Sequence, residues 1–137
     1  MKEIIEAIAT ANGWSFVYGR KDFNNLFNEI EQENISHLFL EPPAIEDIHN
    51  DMGIVEKKAY SGFLTIGYSS DIDEEDYEAR YDKYIKPIID GVLSTLKHEI
   101  RCGQEVVILL WKTTEFVNVF DYNFDGVILE YNILIDE

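Results

Sequence analysis

Positive charge is scarce in this chain: 11 Lys and Arg stand against 27 Asp and Glu, a formal charge of −16. A basic face for binding nucleic acid is not expected, because phosphate contacts need clustered Lys and Arg. Cysteine is scarcer still. Cys102 alone excludes an internal disulfide framework and any multi-cysteine zinc site. Long hydrophobic runs are missing too. The longest, Val106-Val107-Ile108-Leu109-Leu110-Trp111, has the length of a strand and is too short to cross a membrane. Met1-Lys2-Glu3 opens an acidic amphipathic pattern, not a basic region followed by an apolar stretch. The expectation is a cytoplasmic protein with no membrane partner.

Apolar material, by contrast, is plentiful. Hydrophobic residues make up 46% of the 137 and aromatic residues 13%. That suffices for a single domain over residues 1–137 to bury a core without metal or disulfide staples. Ile4, Ile5, Ala7, Ile8 and Ala11 recur at helical spacing and end at Asn12-Gly13, a pair suited to a left-handed cap. Trp14 to Tyr18 alternates as a short strand, and a second helical stripe runs from Asp22 through Phe23, Leu26, Phe27 and Ile30. Ser36–Glu41 reads as a buried strand halted by Pro42-Pro43, and Ala44–Gly53 as a loop or one helical turn. Gly53–Ser69 reads as one long strand with a candidate bulge at Gly62. The longest helical pattern then carries Tyr77, Tyr81, Tyr84, Ile85, Ile88, Val92, Leu96 and Ile100, with a kink expected near Pro87. Three strands close the chain, Glu105–Lys112, Glu115–Phe120 and Val127–Ile135, with Asp125-Gly126 as the turn of a final hairpin. Adjacent strands without crossover helices predict an α+β fold, a mostly antiparallel sheet with flanking helices.

Patterns that could carry chemistry are few. An EF-hand loop starting at Asp71 would place donors at Asp71, Asp73 and Glu75, but Asp76 occupies the glycine position and Asp82 the position of the bidentate Glu. Carboxylates opposing a helix dipole explain that cluster more simply. Glu56-Lys57-Lys58 has the Glu-x-Lys spacing of metal-dependent nucleases, with Asp47 or Asp51 as the second carboxylate, yet alternating charge on an exposed strand explains it equally well. His37, His49 and His98 form no ligand pair with one another. Cys102 sits near a helix C-terminus, the wrong end for thiolate stabilisation. No nucleophile elbow or phosphate-binding glycine loop is present. The expectation is a non-enzyme with no cofactor and no metal, although whether Asp71–Asp76 binds an ion stays open.

Charge is unevenly spread. No basic residue falls between Lys21 and Lys57 or after Lys112, whereas Arg80, Lys83, Lys86, Lys97 and Arg101 share the long helix. Such polarity suits head-to-tail contacts between identical subunits, and a solvated acidic surface that keeps the chain soluble is the plainer alternative.

The Pro-containing helix Tyr84-Ile85-Lys86-Pro87-Ile88-Ile89 leads to Glu115–Tyr131, in which Asn123-Phe124-Asp125-Gly126-Val127 precedes an alternating strand. Over residues 77–135 this resembles small phage tail-terminator and tail-completion (head-tail joining) proteins. The resemblance implies a phage or prophage virion assembly protein in a bacterial host. Its subunits would form rings, commonly hexameric, that contact tail-tube or head-connector proteins. The candidate interface residues are Arg80, Lys83 and Lys86 on the helix, Val55, Lys57 and Phe63 on the long strand, and Glu46 and Asp47 in the segment before it. An acidic ring would also let DNA pass without sticking. An acidic DNA mimic or another protein-binding inhibitor is the competing reading, since rows of carboxylates imitate phosphates. A metal-dependent enzyme stands third, to be detected by metal-dependent thermal stabilisation.

Overall fold

The computed structural model describes residues 1–19, 36–69, 77–103, 105–119 and 124–136. The helix expected from Asp22 to Ile30 and the acidic cluster Asp71–Asp76 lie outside them. The described elements are α1 (Lys2–Asn12), β1 (Ser15–Tyr18), β2 (His37–Leu40), β3 (Ala44–His49), β4 (Val55–Ser69), α2 (Tyr77–Arg80), α3 (Leu93–Gly103), β5 (Val106–Val119) and β6 (Phe124–Asp136). The six strands form one mostly antiparallel sheet in the order β1-β2-β4-β6-β5, and β3 also pairs with β4. The α+β expectation holds. Among the described residues no helix is long and apolar enough to cross a membrane.

β4 is the spine of the sheet. β6 pairs along nearly its whole length on one side, while β2 and β3 share the other side. Leu40 lies opposite Leu64 and Ala44 opposite Ser61, so Glu41-Pro42-Pro43 spans the step between the two short strands. The prolines have no N–H to give a ladder, so they interrupt the edge. They do not end it. Ala44–Gly53, expected as a loop or helical turn, instead begins with strand β3, because the neighbouring β4 supplies pairing that local periodicity does not announce. No register shift occurs at Gly62, where a bulge was a candidate.

The kink arrives as expected. α2 continues through two π-helical segments, Tyr81–Ile85 and Ile88–Val92, into α3, forming a helix of 27 residues bent by 27°. Pro87 stands between the two segments and cannot donate, and the widened turns on either side absorb the missing bond. The buried stripe Ile85, Ile88, Val92, Leu96 and Ile100 packs with Ile5, Ile8 and Ala9 of α1 against Leu38, Leu40, Leu64, Ile66, Val127, Leu129 and Ile133 of the sheet. Full burial of each such Leu or Ile contributes about 1.5–3 kcal/mol.

On the opposite face of the sheet, Phe39 and Phe124 pack with Val17 and Phe116 at one end. The His37 ring is buried there, parallel to Phe39 at 6.4 Å and edge-on to Phe124 at 6.3 Å.

The final strands differ from expectation. Two predicted strands, Glu105–Lys112 and Glu115–Phe120, merge over the described residues into the single strand β5, Val106–Val119, which carries register shifts between Ile108 and Leu110 and between Phe116 and Val119. Asp125-Gly126 is not a turn. Both residues are buried within β6, opposite Tyr68 and Gly67 of β4, and the β5–β6 connection falls on residues 120–123, outside the described set.

Candidate interaction surface

A buried ion pair ties the long helix to the sheet. Arg80, expected at an interface, is buried: its Nη1 donates to Asp125 Oδ1 at 3.2 Å and Oδ2 at 3.0 Å. The helix charge cluster therefore loses a member, because the sheet end supplies a buried carboxylate that sequence order alone does not reveal. Lys83 and Lys86 do remain on the surface, with the Lys83 ammonium 5.3 Å from the Tyr84 ring centre.

Cys102 and His98 lie one helical turn apart on α3. The sulfur is 3.5 Å from Nε2 and 3.8 Å from Nδ1. Near-equal distances to both nitrogens place the sulfur against the ring and not along one nitrogen's lone pair, so this contact lacks the alignment of a nucleophile–base pair. Among the described residues, no group of three His, Cys, Asp or Glu side chains is arranged to hold a metal. Hairpin pairing sets Asp47 opposite Lys58, two residues along β4 from Glu56, with both carboxylates exposed to solvent.

Tyr131 shows what burial does to a polar group here. Its hydroxyl is buried with no hydrogen-bond partner among the described residues. Burial pushes the phenol up to about 12, with the Tyr18 and Glu41 acids adding to the effect. The unfolded chain ionises near pH 10, so the neutral form that the fold retains disfavours folding as pH rises from 10 towards 12, by up to roughly 3 kcal/mol. Tyr131→Phe removes an unsatisfied hydroxyl and is expected to be neutral or stabilising by about 1 kcal/mol at pH 7. It also removes this contribution to alkaline destabilisation. Thermal unfolding of both proteins from neutral pH to pH 12 checks each part; equal alkaline losses would contradict the assignment.

Among the described residues, Tyr18, Tyr77 and Tyr81 are exposed, and the other exposed large apolar side chains gather at two margins of the sheet. One is the β3–β4 hairpin. Its turn is well braced: Asn50 Oδ1 accepts from the Met52 and Ile54 backbone N–H groups at 2.9 and 3.0 Å, and Gly53 N–H donates to the Asn50 carbonyl at 3.0 Å. This turn holds Met52 out at 77% exposure, with Ile54 and Ile45 also exposed. Glu46, Asp47, Asp51 and Glu56 surround them, all exposed. Val55 is half-buried beside the turn, and Lys57 is tied to Asp136 at 3.4 Å.

The other margin is β5. A groove of about 520 Å³ runs between α3 and the strand, floored by Val106 to Trp111 and walled by Lys97 and Arg101. Lys97 lies 5.7 Å from the Trp111 ring centre. Val107, Leu109 and Leu110 are exposed here, Leu109 at 56% because the register shift turns it out of the ladder. Around the corner, Phe63 is 41% exposed in a shallow depression that it shares with Leu110, Glu130 and Asn132. Of the residues expected at an interface, Glu46, Asp47, Phe63, Lys83 and Lys86 are exposed, Val55 and Lys57 partly so, and Arg80 is not.

The β5 groove was missed in the sequence although its signal was present. Six successive apolar residues on an antiparallel strand need cover on both faces, and among the described residues the helices pack on one. No protein-family model matches the chain, and no curated protein matches it.

Proposed function

We propose that this chain works by docking against other proteins, foremost further copies of itself, as an assembly subunit of the phage tail-terminator or tail-completion kind. One observation carries the reading: large apolar side chains are exposed at two separate margins of one sheet, Met52 and Ile54 on the hairpin turn and Leu109 and Leu110 on β5. Two different surface patches on one subunit make heterologous contacts, which generate closed rings when the rotation between subunits closes. A virion ring is the role that the sequence resemblance of residues 77–135 to tail-terminator and tail-completion proteins implies, and the −16 charge suits a channel that DNA crosses without adhering.

Sedimentation velocity and light scattering test this. A closed oligomer of several copies is the expected result, persisting in moderate salt because apolar contacts contribute to it. A monomer at about 100 μM overturns the reading. Tight, salt-sensitive capture by a nuclease from a protein that stays monomeric would favour the acidic mimic instead.

A further inference from the structure

We infer that the contact between copies is made by the acidic β3 margin of one subunit lying antiparallel along the basic, apolar β5 groove of the next. This rests on the self-association proposed above and names the two surfaces. Three features of the fold carry it.

The first is charge. The hairpin margin bears Glu46, Asp47, Asp51 and Glu56 against Lys57 and Lys58, whereas the groove wall on α3 bears Lys97 and Arg101, with Lys112 further along β5. In a chain of net charge −16, a basic patch beside exposed Leu109 and Leu110 is a local reversal of sign, and complementary patches select partners and fix their register.

The second is level. Reading straight across the ladder, Asp47, Lys58, Ile135 and Val106 lie on one rung, and Glu46, Ala59, Leu134 and Val107 on the next. β3 and the first half of β5 therefore sit at the same height on opposite margins. A copy displaced sideways, with no slip along the strands, brings Asp47 beside Val106 and the α3 cations.

The third is direction. β3, β4, β6 and β5 alternate in sense, because each successive pair is antiparallel. Sideways repetition then sets β3 of the incoming copy antiparallel to β5, continuing the sheet with its helix-bearing face unchanged. Asp47 and Ile45 share a face with Val106, which packs on the helices, and Glu46 shares the open face with Val107. Among the described residues neither outer margin has a strand paired to it. The displaced Leu109 interrupts the ladder on β5, and such a bulge resists indiscriminate edge pairing. Selection is thus left to side chains.

Cross-linking with a zero-length carbodiimide reads the contact directly. In an equal mixture of isotopically light and heavy wild-type protein, the expected product joins Lys97 to Asp47, which shares the helix-bearing face, in light–heavy pairs. Within one chain three strand spacings, about 14 Å, separate these margins. Asp47→Lys and Lys97→Glu/Arg101→Glu are each expected to raise the self-association Kd at least about thirtyfold, by setting like charges together. An equal mixture of the two variants restores association, since each one's altered surface then meets the other's. Circular dichroism confirms folding, and the exposed hairpin variant decides alone should the groove variant unfold. A wild-type oligomer indifferent to these reversals, or cross-linked only elsewhere, overturns this assignment and leaves self-association standing. A wild-type monomer overturns both.

Discussion

Arg80→Ala is expected to lower the unfolding free energy by about 3–5 kcal/mol, because it leaves the Asp125 carboxylate buried without its cation. The side chains are 6% and 0% exposed, and one guanidinium nitrogen reaches both carboxylate oxygens. A domain of this size has about 5–15 kcal/mol in total. The loss therefore consumes a large share and moves the thermal midpoint down by about 10 °C or more. The position amplifies the effect: Arg80 ends α2 and Asp125 lies near the start of β6, so the pair fastens the beginning of the 27-residue helix to the sheet. Asp125→Asn should cost somewhat less, since the amide still accepts one hydrogen bond from the guanidinium. The double variant Arg80→Met/Asp125→Leu separates pairing from mere burial. Each charge then leaves with its partner, and most of the lost stability should return. Strictly additive losses in urea melts would show that the pair is not coupled. Because Arg80 is buried, reversing its charge would confuse unfolding with loss of assembly, and Lys97 and Arg101 make the cleaner test.

The same pair shows where sequence reading reached its limit. Asp-Gly ahead of an alternating strand is the usual signature of a hairpin turn, and locally nothing at Asp125-Gly126 contradicts it. The structure instead puts the carboxylate under a helix 45 residues away in sequence, a distance at which no local pattern speaks. β3 escaped for a related reason. Its residues are nearly all exposed, so it has none of the apolar alternation by which β4 and the helix announced themselves, and only pairing with β4 makes it a strand. The long helix and its bend were legible because they arise from local causes, an apolar stripe recurring every three or four residues and a proline that cannot donate. For the interface the sequence carried the ingredients without their geometry. Glu46, Asp47 and Phe63 were singled out and are exposed, but their relation to Lys97, Arg101 and the Val106–Trp111 run exists only once the strand order is known.

Gly126→Ala is expected to be nearly as damaging as loss of the ion pair beside it, for a steric reason. Gly126 of β6 faces Gly67 of β4, and the two backbones approach so closely that a methyl group on Gly126 would overlap the Ile66 carbonyl oxygen and come within 2.6 Å of Gly67 Cα. Inserting a methyl into a packed core typically costs about 1–3 kcal/mol while side chains can rotate away. Here the obstacle is main chain on the central pair of strands. Relief requires the β4–β6 ladder to part at its most buried rungs, so a cost of about 3 kcal/mol or more is expected, with lowered yield of folded protein. Gly62→Ala is the matched control on the same strand pair. A methyl there would meet the Tyr131 hydroxyl at 3.4 Å and Pro43 Cα at 3.5 Å, near ordinary contact. Alanine also loses less backbone freedom on folding than glycine, so this variant should be neutral or gain up to about 1 kcal/mol. The contrast isolates close approach from the general preference against glycine in strands, and equal urea midpoints for the two variants would remove its basis. The crowding also accounts for the glycines themselves: Asp125 reaches Arg80 from a strand drawn tightly against β4, and only a residue without a side chain lets the strand come that near.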